Sequence, residues 1–219
     1  MQPLRITAIL VRPVLSLSHP IMLDGLLAAA RVKRAEMDGH PDPWSVQDDL
    51  PLARYESPSG CWIWKASAFV PQPVSEHLPL LQTSRHNLAR MAEDIEDGLV
   101  RMRKAKINPA GGMFRSSYEY LRVQWWQQAY ADCIGDRAAI ADLLQEITHL
   151  GGRRSLGLGE VRQWQIDPID AESCLWMRRP MPADSDVPAS DISYALAMQT
   201  LRPPYWRKTA RQIALVPVA

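Results

Sequence analysis

The chain has 219 residues, 47% of them hydrophobic, and a formal net charge of +1. This length and apolar content predict a globular protein with one elaborated domain or two small ones. The near-neutral charge excludes an argument for nucleic-acid binding from bulk electrostatics, so such a function has to depend on local clusters of basic residues. The cysteines, Cys61, Cys133 and Cys174, are odd in number and far apart. This spacing argues against a disulfide framework and a zinc site, and it favours a reducing cytoplasm.

The N-terminal segment predicts a strand followed by a helix. Apolar side chains alternate at Leu4, Ile6 and Ala8 and then continue without interruption to Val11, before Pro13 ends the run. The segment has no long apolar run of the kind found in a signal peptide. No stretch of the chain reaches the ~18 apolar residues that a membrane helix needs. Over Leu23–Ala35 apolar residues recur at helical spacings, and basic residues gather at the C-terminal end, where they favour the helix dipole. We therefore expect a soluble, cytoplasmic protein that begins with a strand and a helix.

The middle of the chain predicts two further strands separated by an inserted arm. Periodicity disappears between about 37 and 60, which indicates a surface insertion. The aromatic and β-branched run Cys61–Val70 predicts the second strand. Residues 72–112 carry an acidic run followed by a basic run, and we expect a protruding, thumb-like arm there. The Tyr- and Trp-rich segment 113–131 favours a long strand or a hairpin returning from this arm.

The C-terminal half predicts a second helix and a fourth strand. Asp136 is expected to cap a helix that runs to about His149, and residues 161–166 alternate as a strand does. The resulting β-α-β-β-α-β order predicts an α+β, ferredoxin-like (RRM-like) domain over residues 1–167. Residues 168–219, which are rich in proline, are expected to be an elaboration with a short strand, packed on the same domain.

A glycine-rich run between the second helix and the fourth strand is the most informative motif. It holds four glycines and two arginines between Gly151 and Gly159. Glycines permit positive φ angles and close backbone approach, so exposed amides can bind phosphate oxygens while Arg153 and Arg154 supply charge. The run lacks the Gly-Lys-Ser/Thr of a Walker loop, and it follows a helix, whereas a dinucleotide fingerprint follows a strand. Two interpretations stay open, a cradle for an RNA backbone and a flexible connector.

Three further segments accompany this glycine loop: Pro3–Ala8, His19–Ala28 and Arg202–Trp206. Together with the loop they resemble the RAMP-superfamily subunit of type IV CRISPR effector complexes, a Cas-five-like subunit, over nearly the whole chain. The resemblance implies a subunit without nuclease activity, cofactor or metal. Such a subunit binds the 5′ repeat-derived handle of the guide RNA (crRNA) and caps the backbone filament, beside the backbone and large subunits of the complex. A contact with target DNA is a further implication of the resemblance.

The resemblance implies RNA contacts in the glycine loop, in the basic part of the arm and just after the arm. An aromatic ring and an arginine in the last group are suited to stack on, or hydrogen-bond to, an unpaired base. The basic run has a second interpretation, a solvated face balanced by the acidic residues before it. The candidate RNA contacts are Gly151, Gly152, Arg153, Arg154, Ser155, Gly157, Gly159, Arg101, Arg103, Lys104, Lys106, Phe114 and Arg115.

Two other functions stay open. A metal-independent endoribonuclease that processes CRISPR repeat RNA needs an acid and a base, for which His19, His86, Lys106 and Tyr118 are candidates, although they form no recognisable pair. A scaffold subunit that contacts only proteins would explain the Trp-rich and Pro-rich segments without RNA. Cleavage of repeat RNA distinguishes the first from an RNA-binding subunit, and salt-dependent RNA binding distinguishes the second.

Asp24 and four tryptophans each have two interpretations. Asp24 is a binding residue or an acid near a helix N-terminus, where the dipole favours it, and we prefer the second. Trp62, Trp64, Trp125 and Trp126 are stacking platforms or core residues, and we prefer the core.

Overall fold

The computed structural model of the protein describes residues 1–16, 19–84, 87–99, 117–186 and 192–218. The chain forms two compact units. The larger unit joins Met1–Glu76 to Gln124–Ala219, and the smaller unit is His77–Val123. Within the described ranges, no helix has the length and apolar content needed to cross a membrane.

The helices are α1 (Leu23–Met37), α2 (Leu88–Glu96) and α3 (Arg137–Leu144). The first strands are β1 (Gln2–Leu10), β2 (Val14–Leu15), β3 (Arg54–Glu56), β4 (Trp62–Trp64), β5 (Val70–Pro73) and β6 (Leu78–Ser84). The later strands are β7 (Ser117–Gln124), β8 (Trp126–Gly135), β9 (Val161–Pro168), β10 (Met181–Pro182), β11 (Tyr194–Thr200) and β12 (Arg211–Pro217).

A four-stranded antiparallel sheet forms the centre of the larger unit. Its strand order is β5-β8-β1-β9. Along the chain, α1 lies between β1 and β5, and α3 connects β8 to β9. In chain order, β1 is the first of these strands and pairs with the third and fourth, β8 and β9. The second strand, β5, lies at an edge. The arrangement is compatible with the ferredoxin-like order, and the predicted α+β class is confirmed.

One face of this sheet is buried under the helices. Leu4, Ile6 and Ala8, at alternate positions of β1, are fully buried. They belong to one apolar cluster with Leu27 of α1 and Ile140 of α3. Because alternate strand residues share a face, the period-two pattern of β1 directs these side chains toward both helices. Each fully buried leucine or isoleucine contributes about 1.5–3 kcal/mol to folding.

The other face of the sheet carries an ion pair covered by the C-terminal segment. Arg5 donates through Nε to Asp132 Oδ1 at 2.8 Å and through Nη2 to Oδ2 at 3.0 Å. The backbone amide of Leu175 donates to Asp132 Oδ2 at 3.1 Å. Hydrogen bonding to Asp132 raises the pKa of Arg5, although burial opposes this. The carboxylate therefore ties residue 175 to the sheet.

A second, smaller core lies in the C-terminal part of the larger unit. There β10, β12 and β11 form an antiparallel sheet in that order. Its buried residues Met181, Leu201 and Ala214 cluster with Ile63 of β4. The short strand predicted near the C-terminus is confirmed as β12. Its partner β11 lies in sequence that we interpreted as irregular, and that interpretation is wrong for residues 194–200.

A buried ion pair joins α1 to this C-terminal part. Asp24 and Arg179 have no exposed surface. Arg179 Nη1 donates to Asp24 Oδ2 at 3.1 Å, and the Tyr205 hydroxyl donates to the same carboxylate at 2.8 Å. Arg179 Nη2 donates to the Tyr205 hydroxyl at 2.9 Å. The three side chains thus form one closed cluster, to which Asp24 belongs as a structural residue.

The guanidinium of Arg179 also binds four backbone carbonyls, one of them that of Pro180, which accepts from Nε at 3.4 Å. Nη1 donates to the carbonyls of Trp64 and Ala66 at 2.8 and 2.9 Å, and Nη2 donates to that of Leu201 at 2.6 Å. Burial alone would lower the pKa of Arg179, but the charge of Asp24 opposes it and the pKa is raised. Burial raises the pKa of Tyr205 well above its ordinary value, so its hydroxyl stays protonated. The Arg179 guanidinium and the Tyr205 hydroxyl therefore both keep the protons that they donate in the cluster.

The predicted second strand, 61–70, is wrong in its extent. Within it only Trp62–Trp64 is a strand before β5 starts at Val70, and that strand, β4, pairs with β3 outside the central sheet. Two of the intervening carbonyls bind outside the sheet: that of Ala66 accepts from Arg179, and that of Ser67 accepts from the amide of Leu23 at 3.2 Å. A continuous ladder cannot form where the backbone acceptors are used in this way.

Two other predicted elements differ from the structure at their ends. Asp136 caps α3 as predicted, since its Oδ1 accepts from the amide of Ala139 at 2.9 Å. The helix ends at Leu144, earlier than His149. The carbonyl of Ile147 instead accepts from the Trp164 indole at 2.8 Å, so this stretch is held by β9. The extended segment predicted over 113–131 is observed from 117 onward as β7 and β8.

We expect Arg179→Met to lower the free energy of unfolding by about 3–5 kcal/mol, because it leaves the Asp24 carboxylate buried without its partner. Equilibrium urea denaturation of the purified chain measures this. The matched control is Arg31→Met, which removes an exposed ion pair to Asp49 and should cost at most about 1 kcal/mol. The double variant Asp24→Asn, Arg179→Met should recover part of the loss. Equal effects of Arg179→Met and Arg31→Met would contradict the assignment.

Candidate nucleic-acid interface

The neck of the glycine loop is a short antiparallel ladder. The amide of Leu150 donates to the carbonyl of Gly159 at 2.7 Å, and the amide of Val161 donates to that of Thr148 at 2.9 Å. The amide of Gly159 donates to the carbonyl of Pro13 at 2.8 Å, which ties the neck to the segment after β1. The two ends of the loop are thus fixed to each other and to the central sheet.

Gly159 is the most sterically restricted position of the neck. Its φ is +72°, and a Cβ at this position would lie 1.9 Å from the carbonyl oxygen of Leu150. The neighbouring Leu158 is only 4% exposed and anchors this side of the loop in the protein. The close approach of the two backbone strands therefore requires glycine here.

The tip of the loop is one turn of 3-10 helix over Arg154–Leu156. It is entered through Arg153, a non-glycine residue with φ of +60°, and it ends at Gly157 with φ of +73°. The amide of Leu156 donates to the carbonyl of Arg153 at 2.9 Å, and that of Gly157 donates to Arg154 at 2.8 Å. The turn fixes the direction of the remaining amides.

The tip presents hydrogen-bond donors and positive charge to solvent. The side chains of Arg153, Arg154 and Ser155 are exposed. Among the described residues, the amides of Gly152, Arg154 and Ser155 have no acceptor, and the Arg154 guanidinium has no ion pair. Backbone amides beside a guanidinium form an anion-binding concavity, for which phosphate is a suitable ligand.

Residues 2–217 match the family described as CRISPR type IV associated protein Csf3. The chain belongs to this family. No curated protein matches the chain. The predicted relationship to type IV CRISPR systems is thereby confirmed, while membership of the RAMP superfamily stays a prediction.

The predicted RNA contacts of this Csf3-family chain divide into two groups. The seven positions of the glycine loop, between Gly151 and Gly159, are brought together on one anchored turn. The other predicted contacts lie outside the described residues; they are Arg101, Arg103, Lys104, Lys106, Phe114 and Arg115.

The residues considered for cleavage chemistry lie in different units or outside the described residues. His19 lies before α1 in the larger unit, and Tyr118 lies on β7 in the smaller unit; both are exposed. His86 and Lys106 fall outside the described residues. Acid–base catalysis by the Csf3-family chain therefore stays an untested alternative.

The tryptophans that we assigned to the core vary in burial. Trp64 is 2% exposed, as expected of a core residue. Trp62 and Trp126 are partly buried and pack against the main cluster. Trp125 is 40% exposed, so the core interpretation is wrong for this residue.

Sequence reasoning missed a groove next to the glycine loop. It is a cavity of about 900 Å³ between one face of α1, Trp44 and the loop that contains Trp206, and Gly151 lines one part of it. The Trp44 and Trp206 rings meet edge to face with their centroids 6.1 Å apart. Trp44 and Trp206 are far apart in sequence, so no local pattern predicted the groove. The one usable signal was the position of Trp206 in a Pro-rich, basic segment.

We expect Gly159→Ala to destabilise the chain more than Gly157→Ala. Both positions have positive φ, which costs a residue with a Cβ about 1–2 kcal/mol. Only Gly159 adds a steric clash, because nothing lies within 4 Å of a Cβ at Gly157. Urea denaturation of both variants measures the difference. Equal losses would contradict the close contact in the neck.

Proposed function

We propose that the chain is a non-catalytic RNA-binding subunit of a type IV CRISPR effector complex, which binds the 5′ repeat-derived handle of the crRNA and caps the backbone filament. This proposal is carried by the amides of Gly152, Arg154 and Ser155 and by the Arg154 guanidinium, which have no partner among the described residues. Family membership supports the setting, since the family is one of type IV CRISPR associated proteins.

The glycine loop is suited to a phosphate backbone for two physical reasons. First, its amides are fixed by the anchored neck, so little conformational entropy is lost when a phosphate binds. Second, Arg154 supplies a charge-assisted hydrogen bond, which is shorter and stronger than a neutral one. Contacts of this kind position a strand without reading its sequence.

The arm extends the proposed interface. Arg101, Arg103, Lys104 and Lys106 are proposed to bind phosphates of the same RNA or to contact the adjacent backbone subunit. Phe114 and Arg115 are proposed to hold an unpaired base. Backbone and large subunits of the complex are the proposed protein partners, and the cytoplasm is the proposed location.

We expect the double variant Arg153→Gln, Arg154→Gln to weaken binding of handle RNA and to flatten its salt dependence. The slope of log K against log salt should fall by about 0.7 for each lost phosphate contact. Fluorescence anisotropy with labelled handle RNA, measured over a salt series, tests this. Arg137→Gln, which removes an exposed cation on α3, is the matched control and should leave the slope unchanged. An unchanged slope in the double variant would reject the glycine loop as an RNA contact.

We expect co-expression of the chain with its genomic neighbours to yield a ribonucleoprotein. Purification through a tag on this chain, followed by RNA sequencing, should recover repeat-derived guides with a uniform 5′ end, because a handle-binding cap fixes that end. An assembled complex without RNA would instead favour the protein-only scaffold. Recovery of the chain alone would argue against a place in an effector complex.

A further inference from the structure

The Trp44–Trp206 groove exposes two indole rings at its rim. Trp206 is 70% exposed and Trp44 is 47% exposed. Their edge-to-face contact leaves ring surface open to solvent beside the cavity of about 900 Å³. Indole is the largest apolar side chain, and two adjacent exposed copies leave a substantial area that a ligand can cover.

Three cations follow Trp206, two in the loop between β11 and β12 and the third at the first residue of β12. Arg207, Lys208 and Arg211 are all exposed, and none of them forms an ion pair with a described residue. Arg202, earlier in the same loop, differs: its Nη1 lies 3.4 Å from Asp48 Oδ1, and its guanidinium lies 3.8 Å from the Trp62 ring centroid. The charge beside Trp206 is therefore available to an anionic ligand.

Four basic and three acidic side chains line the groove and the cavity that adjoins it. Glu36 lines the groove on the α1 side. Asp42 and Asp48 line an adjoining cavity, where Asp48 is already engaged by Arg202. The cations therefore make the Trp206 end of the groove electrostatically complementary to phosphate.

We propose that this groove binds an unpaired nucleotide of a single-stranded nucleic acid, with a base stacked on Trp206 and flanking phosphates bound by Arg207, Lys208 and Arg211. An aromatic platform beside backbone-tracking cations is the combination that binds single strands without sequence preference. The cavity volume of about 900 Å³ lies within the range of small-molecule pockets, and it is large enough to hold one base.

The position of the groove relates it to the glycine loop. Gly151 lines the groove and also begins the loop, so a strand held on the loop tip has the groove next to it. The inference goes beyond the handle contacts, because it uses different side chains and holds for a guide RNA or for a displaced DNA strand.

The test is fluorescence anisotropy of the full chain with fluorescein-labelled dodecamers of uridylate and of thymidylate. We expect Trp206→Ala to weaken binding about 5- to 150-fold, the range for one stacked base. Trp206→Phe keeps an aromatic face and should retain most of the affinity. The triple variant Arg207→Gln, Lys208→Gln, Arg211→Gln should lower the salt slope by about 2. Because these side chains are exposed, the melting temperature should not change.

Trp125→Ala, which removes another exposed indole, is the control and should bind as the unmodified chain does. If Trp206→Ala loses affinity for the uridylate dodecamer alone, the groove is assigned to RNA, and if it loses affinity for the thymidylate dodecamer alone, the groove is assigned to DNA. Lost affinity for both dodecamers means that the groove accepts either strand. Each of these outcomes supports the proposal. Unchanged affinity of Trp206→Ala, equal loss in Trp125→Ala or no measurable binding overturns it. Loss of a co-purified subunit with nucleic-acid affinity intact also overturns it and assigns the groove to a protein. The test of handle binding changes Arg153 and Arg154, whereas this test changes Trp206 and the cations after it. The proposed function and the proposed groove can therefore fail independently.

Discussion

Arg179 has to satisfy its guanidinium at a place that water does not reach, and this requirement organises the larger unit. A buried charge is tolerated only when a counter-charge and hydrogen-bond acceptors surround it. Asp24 provides the counter-charge, and carbonyls from two other segments provide acceptors. The start of α1, the irregular stretch before β5 and the loop after β11 are consequently held at one point. None of them can move away without leaving a polar group unsatisfied.

Both candidate surfaces depend on this arrangement. Tyr205, which binds Asp24, directly precedes the exposed Trp206, so the ion pair positions the platform of the groove. The segment before α1 contacts the other surface, because Val14 and Ile21 lie 3.3–3.4 Å from the position of a Cβ on Gly151. Buried contacts thus hold the base of each candidate surface. The donors of the glycine loop and the indole rings of the groove are exposed, so a ligand can reach them. Fixed donors of this kind bind with a smaller entropic cost than mobile ones.

The elements that could be predicted from the sequence are those specified by neighbouring residues. β1, α1 and the cap at Asp136 follow from local apolar periodicity and side-chain chemistry, and the glycine loop stood out by composition. The errors arose where distant residues decide the backbone. Cys61–Val70 has the composition of a strand, but two of its carbonyls accept from Arg179, which lies more than a hundred residues away in sequence. The partner of Asp24 and the pairing of Trp44 with Trp206 were hidden for the same reason.

The ion pair also bears on the order in which the chain is made. Asp24 and Arg179 are separated by 155 residues, so a ribosome delivers the carboxylate long before its counter-charge. Until residue 179 emerges, α1 cannot bury the Asp24 carboxylate without the cost of an unpaired ion. The larger unit can therefore complete this cluster only after residue 179 has been made. In the interval between the two residues the start of α1 lacks its buried counter-charge, and transiently exposed surface of this kind makes incompletely folded chains prone to aggregation.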